Sequence, residues 1–174
     1  MIEIETAKKC SSPEREVRFV YKTEEPLKHM MVYHDIQVTC VSEGDGVSGL
    51  VCNGGGNCTL CTGIAYIGLD FDIESRRIGG ISGFLGKLKN CEVKSMEKPH
   101  KFQDVMLYVN SNENFLQGIG YSFAMPKHLY YDGKNKILQF GQCDGEKSYL
   151  RFLKNAYAQL DAEGHMKGFL ITDI

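Results

Sequence analysis

Apolar and polar positions alternate at period two along much of the chain, the signature of half-buried β-strands. Residues 64–73 place Leu69, Phe71 and Ile73 on one side and Asp70 and Asp72 on the other. The polar run 74–77 then makes a turn, and residues 78–85 run back. A second hairpin is expected from strands 129–131 and 137–140 flanking Asp132-Gly133-Lys134-Asn135, because Asp-Gly between apolar runs favours a tight reversal. Shorter β-type runs occupy 16–22, 30–41 and 105–109, and 166–172 reads as a closing strand.

One segment breaks this rhythm. Between 146 and 162, Tyr149, Leu150, Phe152, Leu153, Ala156, Tyr157 and Leu160 recur at spacings of three and four, which predicts an amphipathic helix. Asp144 is placed to cap its start and Gly164 its end. The expected fold is therefore α+β: a mainly antiparallel, hairpin-rich sheet, one long C-terminal helix packed on it, and a last strand. Residues 43–63 are glycine-dense and read as loop, and the Lys-rich stretch 87–101 reads as an exposed connection able to meet an acidic protein.

At 174 residues the chain is expected to form a single domain, spanning 1–174, with a core that needs no staples. A net charge of −2 argues against general nucleic-acid binding, which draws on excess Lys and Arg to displace counterions. No apolar run is long enough for a membrane helix, so no membrane partner is expected. The acidic, alternating start carries no secretory pattern and points to a cytoplasmic setting, with the seven cysteines as reduced thiols.

Four groups of residues could carry chemistry. Cys40, Cys52, Cys58 and Cys61 include a Cys-x-x-Cys pair suited to zinc, but eleven residues intervene between Cys40 and Cys52 where a knuckle has two to four. Cys143, just ahead of the expected helix, could be a thiolate stabilised by helix amides, with His128 or His165 as a base reached through the fold. Asp70, Asp72 and Glu74 could pair carboxylates for hydrolysis, although alternating charge is also what a solvated sheet face shows. Gly80 to Leu88 fails as a phosphate loop, with the wrong glycine spacing and Leu88 where a hydroxyl belongs.

The fourth group, Tyr121, Met125, His128, Tyr130 and Tyr131, is rich in side chains that sit at the centres of protein interfaces. Each catalytic constellation is missing a partner that its chemistry requires. The expected function is thus a small non-catalytic binding domain of adaptor or immunity type for a protein partner, with no metal or cofactor. A hydrolase using Cys143 or the acidic face, and a zinc-stabilised module, are the alternatives.

Overall fold

The computed structural model describes residues 3–9, 13, 15–21, 36–42, 55–61, 65–86, 88–116, 119–122, 128–144, 147–163 and 165–174. The first strands are β1 (Glu3–Lys9), β2 (Arg15–Tyr21), β3 (Ile36–Ser42), β4 (Gly55–Cys61), β5 (Ala65–Asp72) and β6 (Ile78–Leu85). A 3₁₀ turn at Leu88–Asn90 precedes β7 (Glu92–Val93), β8 (Phe102–Asn110) and β9 (Gly120–Ser122). The chain continues through β10 (Leu129–Asp132), β11 (Ile137–Gly141), β12 (Tyr149–Leu153), β13 (Ala156–Leu160) and β14 (Met166–Thr172).

Two sheets form. One has eight strands in the order β1-β8-β12-β13-β14-β11-β10-β7, the other six in the order β2-β3-β6-β5-β4-β9. Most neighbours are antiparallel, but β8–β12, β7–β10 and β4–β9 pair in parallel. A shared core joins the sheets: Val105, Leu107, Phe140, Phe152 and Phe169 of the larger belong to one cluster with Ile67, Leu69, Phe71, Ile81 and Leu85 of the smaller. Burial of one face of each sheet against the other is the arrangement of a β-sandwich.

The expected helix at 146–162 does not exist, and with it the α+β assignment falls. The segment is instead the hairpin β12–β13, turning at Lys154 and Asn155. Two features imitate the helical spacing. The register shifts between Arg151 and Leu153, a bulge that leaves both Phe152 and Leu153 buried and breaks strict alternation. The outer face of this hairpin is also covered, so polar residues do not mark every second position. Asp144 caps no helix; its N–H donates to Gln159 Oε1 at 2.6 Å and its carbonyl accepts from Gln159 Nε2 at 2.5 Å.

That outer covering comes from residues 94–101, which cross the eight-stranded sheet from β7 to β8. The lysines of this connection, Lys94, Lys98 and Lys101, are exposed as expected, but Met96 and Pro99 are buried. Leu138 and Ile171 belong to the inter-sheet core, so Ile137 and Leu170 beside them project from the opposite face. There they join Met96 and Tyr149 in a second cluster, flanked by Tyr130, Cys143 and Tyr157.

Asp132 pins the strap. Its Oδ2 accepts from Met96 N at 2.8 Å and Asn135 Nδ2 at 3.0 Å, while its Oδ1 accepts from Lys134 N and Asn135 N, each at 3.0 Å. The Met96 amide, then the Asn135 amide, hold this carboxyl below its ordinary range. The two hairpins expected at β5–β6 and β10–β11 are present. In the second, the left-handed residue is Lys136 (φ 54°), and Asp132 acts through its side chain as an Asx turn.

Candidate functional site

The Tyr121–Tyr131 segment is divided between the sheets. Tyr121 lies on β9 of the six-stranded sheet, where Phe115 meets its ring edge-on at 4.9 Å and its hydroxyl accepts from Leu116 N at 2.7 Å. Tyr130 and Tyr131 lie on β10 of the eight-stranded sheet, and Met125 lies outside the described residues. Tyr131 packs against the inter-sheet core, so it contributes support more than surface.

Tyr130 and His128 stay together. Their rings stack at 5.9 Å with planes 18° apart. Lys94, leaving β7, sets its ammonium 5.0 Å from the Tyr130 ring centre and donates to Gln139 Oε1 at 3.3 Å. Gln139 lies opposite Tyr130 in the β10–β11 register and uses its Nε2 to hold Gly141 O at 2.9 Å. The result is a cation, a phenol and an imidazole in one short row, each oriented by sheet backbone. On β7, opposite Tyr131 and therefore on the other face of the sheet from Tyr130, stands Val93, 89% exposed. Sequence reasoning found His128 and Tyr130 by composition. Lys94 is legible only as part of the Lys-rich stretch 87–101 and Val93 not at all, because the parallel pairing that brings β7 alongside β10 leaves no local signal.

The other candidate groups come apart or are occupied. Cys143 follows β11 with no helix behind it, and the charges that act on it belong to Lys94 and Lys167. Burial dominates and pushes this thiol up to about 12, and it pushes Cys91 up to about 11. The thiolate fraction near neutral pH is therefore very small. Iodoacetamide at pH 7.5 is expected to leave both cysteines unmodified in the native protein and to label them on denaturation. Rapid native labelling of Cys143 would revive the nucleophile reading. The native labelling rate is also expected to climb with pH toward 12, past the range of an ordinary thiol.

Asp72 Oδ1 accepts from both Ser75 N and Ser75 Oγ at 2.7 Å, and the Ser75 amide is the main cause that lowers its pKa. Asp70 is buried, and Glu74 sits exposed beyond the end of β5. The three carboxylates thus do not share one solvated row. Cys40 is on β3, while Cys58 and Cys61 are on β4, with β6 and β5 between them. Three strand spacings separate the two backbones by roughly 14 Å, against a metal–sulfur bond of about 2.3 Å. Cys52 lies outside the described residues. Among the described residues no three His, Cys, Asp or Glu side chains converge as a metal site, and no helix is long and apolar enough to cross a membrane. Comparison of the chain with protein-family models, with curated proteins and with solved structures finds no match.

Proposed function

We propose that the chain is a non-catalytic binding domain for a protein partner, and that the β7–β10 edge carrying Val93, Lys94, His128 and Tyr130 is its contact surface. The observation that carries this reading is the ordered Lys94–Tyr130–His128 row at this edge, with Val93 exposed on the edge's other face. Interface centres favour aromatic side chains already held in one rotamer, since little freedom is then lost on contact. On the other face of the same edge Val93 stands in water and supplies apolar area to a partner that wraps the edge. Lys94 adds a charge at the rim, where it steers approach more than it adds affinity.

The test is capture from an extract of the source cells on immobilised protein, with the retained proteins identified and remeasured one by one in purified form. Val93→Asp and Tyr130→Ala are expected to weaken a true partner by roughly thirtyfold, the effect of losing a contact worth about 2 kcal/mol. The exposed Val93 makes Val93→Asp close to neutral for folding. Unchanged affinity in both variants, with unchanged melting, would move the contact surface elsewhere.

A further inference from the structure

Among the described residues β2 ends the six-stranded sheet, and its outer edge holds a second docking feature. Asn155, in the β12–β13 turn, accepts from Val17 N through Oδ1 at 2.7 Å and donates from Nδ2 to Val17 O at 2.8 Å. Its side-chain amide thus exchanges both bonds with Val17, as a residue of a neighbouring strand would. Lys154 N continues the imitation by donating to Arg15 O at 2.7 Å. The register between β2 and β3 runs without a break from Arg15↔Ser42 to Tyr21↔Ile36. In an antiparallel pair, residues two apart present their backbone groups to the same side. Phe19 therefore points its N–H and C=O the same way as Val17, away from β3, and neither meets a partner among the described residues.

In front of Phe19 the surface opens into a groove of about 630 Å³, bounded by Glu16, Arg18, Lys154, Asn155, Asp173 and Ile174. Its volume falls in the roughly 300–1,000 Å³ range of ligand sites. The charged side chains around it are already engaged with one another. Glu16 pairs with Arg18 at 2.5 Å and with Lys154 at 3.8 Å, and Asp173 pairs with Lys98. An ionic ligand would compete with these pairs, whereas a neutral peptide backbone answers the donor and acceptor of Phe19.

We infer that this edge accepts an extended, uncharged polypeptide segment as an added β-strand, continuing past Val17 the pairing that Asn155 begins. Strand addition takes its affinity from main-chain bonds and its selectivity from alternate side chains. The occupant is thus recognised by conformation and by lack of charge, and the site is independent of the surface at Tyr130.

A phage-displayed library of random heptapeptides panned against the intact protein tests this. Enriched peptides are expected to be uncharged and rich in β-formers, and to slow hydrogen exchange at the Phe19 amide. N-methylation of a selected peptide at alternate positions is expected to weaken binding about tenfold for each bond lost, and at the intervening positions hardly at all. This parity readout needs no variant of the protein. No enrichment, equal tolerance of N-methylation at both parities, or protection that maps away from Phe19 overturns the inference. So does protection of Phe19 that grows with protein concentration in the absence of peptide, which would assign the edge to a second copy of the chain.

Discussion

Gly83→Ala is expected to be the most damaging glycine-to-alanine change among the described residues, with a loss of about 3–5 kcal/mol from overpacking and backbone strain together. Gly83 sits in β6 between two partners, opposite Ile67 of β5 and Val38 of β3. Its φ of +142° is a conformation that side chains rarely adopt. A Cβ there would lie 2.0 Å from the Tyr66 carbonyl oxygen and 2.9 Å from Ile67 Cα. These are backbone atoms, so no rotamer change relieves the clash; β5 and β6 must separate at the centre of the six-stranded sheet. Ile67, 1% exposed, would lose its place in the core as they do.

Gly79 in the same strand is the control. A Cβ at Gly79 meets only the tip of Arg15 at 3.0 Å, and that flexible end can move. Gly79→Ala is therefore expected to cost no more than about 1 kcal/mol. Urea unfolding of both variants settles the matter, with the soluble fraction on expression as the readout if Gly83→Ala does not accumulate. A Gly83→Ala midpoint equal to that of Gly79→Ala would contradict the strained geometry.

The parts of the fold that were legible beforehand are those encoded locally. The β5–β6 and β10–β11 hairpins carry their turn residues and their alternation within about twenty residues each, and both form where expected. The β12–β13 hairpin reads as a helix in the sequence because its evidence lies far away in the chain. Met96 joins Tyr149 in the cluster on its outer side, and the partner of Asn155 is Val17, 138 residues earlier. A strand buried on both faces offers no polar stripe, and a bulge then supplies spacings of three and four. The site divides in the same way. His128 and Tyr130 stand two residues apart and could be picked out by type, whereas Lys94 reaches them only through a parallel strand pair. Tyr121 falls with them only by proximity in sequence, since β9 and β10 belong to different sheets. Cys143 reads as a helix-start thiol; with no helix there, burial outweighs the charges of Lys94 and Lys167.

Asn155 is where the corrected fold makes its other strong prediction. Its amide serves three backbone groups: Val17 N and Val17 O, and Thr172 O at 3.0 Å. All three residues, Val17, Asn155 and Thr172, are buried. Asn155→Ala leaves one donor and two acceptors without partners, at about 1–3 kcal/mol for each group that water cannot reach. With partial relaxation of the exposed turn, the expected loss is about 3–5 kcal/mol, a large share of the roughly 5–15 kcal/mol that holds a domain together. Asn155→Asp separates hydrogen bonding from volume. One carboxylate oxygen can still accept from Val17 N, but the other faces the Val17 and Thr172 carbonyls, so ionisation is opposed and the folded pKa rises. In the unfolded chain the same aspartate ionises near 3.9. The folded state then holds the proton over a range where the unfolded state has released it, so stability relative to the parent falls as pH rises from about 4 toward 7. Urea titrations at pH 4.5 and 7 are expected to show Asn155→Asp closer to the parent at the lower pH. A parallel pH profile for the two proteins, or an Asn155→Ala loss under about 1 kcal/mol, would mean that the turn is not what closes the edge of β2.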